Sequence, residues 1–95
     1  MARWKILGAH LIRNRLEGEP DEVKSAVLEG IELLLENPYE PPGPVEVHVM
    51  RGRNPEGLYV AYLPDNWYLS YVPRPDFPPI GREFIEVRAL HQRVI

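Results

Sequence analysis

The chain has 95 residues, 44% of them hydrophobic, no cysteine and a formal net charge of −3. That length supports one domain, residues 1–95, with a core of modest stability. The missing cysteines exclude a disulfide scaffold and a thiolate metal site and fit a reducing compartment, and the acidic balance excludes a uniformly basic nucleic-acid binder.

The charge is segregated along the chain. Residues 1–16 carry Arg3, Lys5, Arg13 and Arg15 and no acid, whereas residues 17–40 carry eight acids against Lys24 alone. Residues 41–95 balance six arginines with six acids. A local basic face therefore requires the N-terminal segment to lie beside the arginine-bearing second half. Nine of the eleven basic residues are arginine, whose planar fork suits phosphate or carboxylate; biased base composition is the alternative source.

Residues 2–7 alternate as a strand, with Trp4 and Ile6 on one side. The apolar stretch Trp4 to Ile12 is broken by Lys5 and His10 and followed by Arg13 and Arg15, so it does not read as a signal peptide. No run of about eighteen apolar residues follows to span a membrane, and a cytoplasmic location is expected. Residues 9–16 carry Leu11, Ile12 and Leu16 at helical spacing, and Gly18 ends that short helix. Pro20, Asp21 and Glu22 open the next helix with residues suited to its first turn and positive end. Val23, Ala26, Val27, Ile31, Leu34 and Leu35 form its apolar stripe, Glu29, Glu32 and Glu36 lie off it, and Asn37-Pro38 stops it.

Four prolines in residues 38–44 make a stiff connection. Val45, Val47 and Val49 then alternate with Glu46, His48 and Met50 as a half-buried strand, and Arg51 to Glu56 is a turn. Gly57 to Leu63 and Trp67 to Val72 form a hairpin through the turn residues Pro64-Asp65-Asn66. Residues 73–81 read as a second proline-rich loop. Phe84 to Leu90 is the last strand, with Ile85, Val87 and Ala89 alternating against Glu86 and Arg88. The fold class is α+β: an N-terminal strand, then one or two helices packed on one face of a mostly antiparallel sheet of about four strands.

Metal or cofactor chemistry finds no motif. His10, His48 and His91 have no second ligand at a recognised spacing, Gly52, Gly57 and Gly81 form no phosphate cradle, and Ser25 and Ser70 lie in no nucleophile elbow. Tyr59, Tyr62, Trp67, Tyr68 and Tyr71 concentrate in the hairpin, where open-sheet aromatics can stack unpaired RNA bases. Alternation sets Tyr59 opposite in face to Tyr62, and Trp67 with Tyr71 opposite to Tyr68, so half of these rings are expected in the core. His91-Gln92-Arg93 joins a proton carrier to a phosphate-stabilising cation, with Arg88 on the polar side of the same strand; an ordinary charged tail is the alternative.

Trp4-Lys5-Ile6, the helix end Leu33-Leu34-Leu35-Glu36-Asn37-Pro38, the Gly57-Leu58-Tyr59 step and Ile85 through Arg93 together resemble the RelE/ParE superfamily of bacterial toxins, in order and spacing over almost the whole chain. RelE-type members cut messenger RNA on the ribosome without a metal, ParE-type members inhibit DNA gyrase, and both are silenced by a small antitoxin. The resemblance implies a catalytic role for His91 and Arg93, joined by Arg88. The chain departs from the family at Val60 and Tyr62, and at Trp67, Tyr68 and Leu69, where arginines are usual. Phosphate charge would then fall to Arg51, Arg53, Arg74 and Arg88, and a base would stack on Tyr68 or Tyr71. Two functions follow: a metal-independent RelE-like endoribonuclease with an antitoxin partner and no cofactor, or a non-catalytic protein-binding module on the same fold.

Overall fold

The computed structural model describes residues 4–77 and 82–93. In chain order these form β1 (Lys5–Leu7), α1 (Ala9–Leu16), α2 (Asp21–Glu36), β2 (Glu46–Val49), β3 (Tyr59–Tyr62), β4 (Trp67–Phe77) and β5 (Arg82–Gln92). The sheet order is β1-β5-β4-β3-β2, five strands rather than the expected four. The extra pairing joins β1 to β5 in parallel, and the others are antiparallel.

Both helices lie on one face. Ile12 and Leu16 of α1, and Val27, Ile31, Leu34 and Leu35 of α2, meet Ala61, Trp67, Leu69, Tyr71, Ile85, Val87 and Leu90 from the sheet in one cluster. Each fully enclosed leucine or isoleucine contributes about 1.5–3 kcal/mol through the apolar area it removes from water. The glutamates Glu29, Glu32 and Glu36 are exposed, so the stripe read from the sequence is the buried one. Gly30 belongs to that contact too: a Cβ there would stand 2.8 Å from the Leu63 Cδ2. Arg15 lays its guanidinium 4.9 Å from the Trp67 ring centroid, a cation–π contact that seats α1.

The linker after α2 is held by side chains. Asn37 Oδ1 accepts the amides of Tyr39 and Glu40 at 3.0 and 3.1 Å, an Asx-type turn that closes the helix end. Trp4, Tyr39, Tyr59 and Tyr71 then make a chain of ring contacts, with centroids 5.7–5.9 Å apart at each step.

Two expectations for the second half need correction. Residues 73–77 are strand, not loop: β4 runs on through Pro73 and Pro75, with Pro73 opposite Ile85. β3 pairs no further than Tyr59 with Tyr71, so among the described residues that side of β4 is an edge from Val72 onward, where a proline costs no ladder hydrogen bond. Residues 78–81 of the expected loop lie outside the described residues. The second correction concerns β5. Ser70 pairs with Ala89 but Tyr71 pairs with Val87, which leaves Arg88 as the extra residue of a β-bulge. The bulge resets the alternation, so Leu90 rather than Ala89 follows Ile85 and Val87 into the core.

Candidate functional site

The face of the sheet away from the helices carries the candidate residues. The bulge at Arg88 matters first, because strict alternation from Val87 would turn His91 into the core. With Arg88 looped out, His91 pairs with Tyr68 on the open face. One cross-strand row then runs Glu46, Tyr62, Tyr68, His91 over β2, β3, β4 and β5. Its rings touch: Tyr68 and His91 lie 5.1 Å apart between centroids with planes tilted by 30°. His48, one row over, meets Tyr62 edge-on at 5.4 Å.

Arg93 closes one end of this row. Its amide donates to the Asn66 carbonyl at 2.8 Å, and the Gln92 side chain donates to the Asp65 carbonyl at 3.4 Å. Asp65 and Asn66 both adopt positive φ, 59° and 65°, which short polar side chains tolerate and which aims their carbonyls at the end of β5. The result is a cleft of about 300 Å³ lined by Met50, Val60, Tyr62, Tyr68 and Arg93. Tyr62 is 47% exposed, so a planar ligand can reach its ring.

The other arginines divide into two groups. Arg88 spans two carboxylates, Glu56 and Glu86, at 2.8 Å each, and Arg74 reaches Glu86 at 3.4 Å. These four side chains form a neutral alternating network at the surface. Such pairs add little stability, but they occupy the Arg88 guanidinium on two sides and one nitrogen of Arg74, which a phosphate would need. Arg51 and Arg53 are exposed on the β2–β3 loop and, like Arg93, pair with no carboxylate among the described residues. Asn54 shapes that loop. Its amide donates to the Met50 and Leu58 carbonyls at 3.3 and 3.1 Å and accepts from the Leu58 amide at 2.8 Å.

Tyr71 requires a correction. It is fully enclosed on the helix side, and its hydroxyl donates to the Pro38 carbonyl at 2.5 Å, so it cannot stack a base. Burial pushes its phenol above the ordinary value, with Tyr59 and Tyr39 adding to the shift. Burial likewise raises Tyr39, followed by Tyr59 and Glu83.

Tyr62, named above only among the hairpin aromatics, lines the candidate cleft with Met50, and His48 packs against its ring. The signal was present in the polar phase of two adjacent strands, but it became readable only once their register was fixed. Among the described residues no group of three or more His, Asp or Glu side chains is arranged to hold a metal, and no helix is long and apolar enough to cross a membrane. No family model matches the chain, and neither a curated protein nor a solved structure matches it.

Proposed function

We propose that this protein is the toxin of a type II toxin–antitoxin pair and acts in the cytoplasm as a RelE-like, metal-independent endoribonuclease. One observation carries the reading: His91 packs its ring against Tyr68 on the sheet face away from the helices, and Tyr68 lines a cleft together with Arg93. Aromatic platforms of this kind hold unpaired bases, each stacked base contributing about 1–3 kcal/mol. In this reading the 2′-oxygen attacks the adjacent phosphorus as its proton leaves to a base. The P–O5′ bond breaks, and the products are a 2′,3′-cyclic phosphate and a 5′-hydroxyl. His91 exchanges the proton, and Arg93 with Arg51 or Arg53 neutralises the phosphate.

The test is cleavage of a single-stranded RNA in the presence of a chelator. His91→Ala is expected to lower the rate by about 10²–10⁴, the usual contribution of a positioned acid or base, with the circular dichroism spectrum unchanged. An intact RNA after incubation with excess wild-type protein and with ribosomes would remove the proposal.

A second reading, a non-catalytic module that binds a protein partner, is favoured by the closed Arg74–Glu86–Arg88–Glu56 network. It is also favoured by Val60 and Tyr62 standing where arginines are usual. Isolation of a stoichiometric protein complex that cuts no RNA selects that reading.

A further inference from the structure

We propose that two copies of this chain join edge to edge through β2, with Val47 opposite the partner's Val47, to form one continuous ten-stranded sheet. The inference is independent of what the open face binds. Among the described residues β2 is the terminal strand of the sheet order, with β3 its one neighbour. The Met50 amide donates to the Leu58 carbonyl at 3.0 Å, which fixes the phase of the ladder. Met50, His48 and Glu46 therefore turn their backbone groups toward β3. Val47 and Val49, in the alternate phase, turn theirs to the free edge.

Among the described residues nothing pairs with that edge. No proline, lysine or arginine lies within Glu46–Val49, and Val49 and Met50 are 53% and 45% exposed. An antiparallel partner must keep the outward-turned residues opposite one another, which leaves registers two residues apart. The match of carboxylate to imidazole N–H chooses between them. With Val47 opposite the partner's Val47, each Glu46 faces the partner's His48, at the close non-hydrogen-bonded positions. Sliding by two residues in one direction sets Glu46 against the partner's Glu46, and sliding in the other sets His48 against the partner's His48. The chosen register also lays Val49 against the partner's Val45. Glu46 and His48 already share one face, with 3.8 Å between Glu46 Oε2 and His48 Nε2.

The pairing is two-fold and closed, so it stops at two chains, with β1 at both outer edges. Both clefts then lie on the same side of the joined sheet.

Sedimentation equilibrium over a micromolar concentration series is expected to approach twice the chain mass of 11.0 kDa. His48→Glu lines the seam with carboxylates and should raise the dissociation constant at least about tenfold, 1.4 kcal/mol or more. The exchange Glu46→His with His48→Glu sets carboxylate opposite imidazole again and should restore the dimer. Val47→Pro removes an outward N–H without touching the β2–β3 ladder and should give a folded monomer. The chain has no cysteine, so Val47→Cys is expected to form an inter-chain disulfide on oxidation, and Val49→Cys is not. A wild-type chain that stays monomeric throughout would overturn the proposal. So would a dimer that survives both His48→Glu and Val47→Pro.

Discussion

Tyr71 shows how one side chain ties the linker to the sheet. Its hydroxyl serves the carbonyl of Pro38, itself fully buried, so Tyr71→Phe leaves an acceptor without a partner. The expected cost is about 1–3 kcal/mol, read as a lower urea midpoint. The same group sets an alkaline limit. Its folded pKa lies above the ordinary 10.0, so the unfolded chain releases the proton first. Stability is therefore complete below that value and falls as pH rises past it, by up to about 1.4 kcal/mol per pH unit for one group. Melting curves on both sides of pH 10.0 should show a steeper loss for wild type than for Tyr71→Phe; equal slopes would refute the assignment. The arginines differ at this scale as well. Arg88 is already held by Glu56 and Glu86, whereas Arg93 pairs with no carboxylate among the described residues. If single-stranded RNA binds the open face, Arg93→Ala should reduce the slope of log affinity against log salt by about 0.7, while Arg88→Ala leaves the slope unchanged. Fluorescence anisotropy titrations at several salt concentrations measure both.

At the scale of elements, the helices were legible because their signals are local. Gly18, Pro20, the acidic first turn and Asn37-Pro38 mark ends, and the apolar spacing marks the buried face. Contacts between elements were not legible. Gly30 reads as an ordinary weak point in a helix, yet it is where α2 lies against Leu63 before β4. Gly30→Ala gains helix propensity of about 1 kcal/mol but forces the Leu63 methyl aside, an overpacking cost of about 1–3 kcal/mol. The net expectation is a loss of stability in the wild-type background. Leu63→Ala removes the obstructing methyl, so in that background Gly30→Ala should stabilise. A double-mutant cycle by urea denaturation should give a coupling of about 1 kcal/mol or more, and additive effects would show that the two sites do not touch. The prolines of β4 misled for a related reason. A proline reads as a strand breaker until the partner strand is known to end, and β3 ends opposite Tyr71.

Across the whole molecule, the candidate site was half legible. His91, Arg93 and Tyr68 could be selected by residue type, and alternation separated Tyr68 from Trp67 and Tyr71. The bulge at Arg88 could not be read, and without it His91 falls on the wrong face. The charge segregation acquires a meaning from the topology. The acids of α2 face outward on the helix side, while Arg51, Arg53 and Arg93 belong to the β2–β3 loop and the end of β5. The sheet lies between these groups. At physiological salt, charges farther apart than about 8 Å are largely screened, so if RNA binds the open face the acidic helix disfavours nucleic acid on its own side without weakening that binding. This arrangement predicts an asymmetric response to mutation. Glu29→Lys with Glu32→Lys changes the net charge by four units yet should alter RNA affinity on the open face by less than about twofold. Tyr68→Ala changes no charge, yet it removes a stacking ring and should weaken binding by about five- to 150-fold. Anisotropy titrations of the two variants decide the matter. A stronger gain from the helix lysines than the loss at Tyr68 would mean that net charge, and not the aromatic row, governs binding.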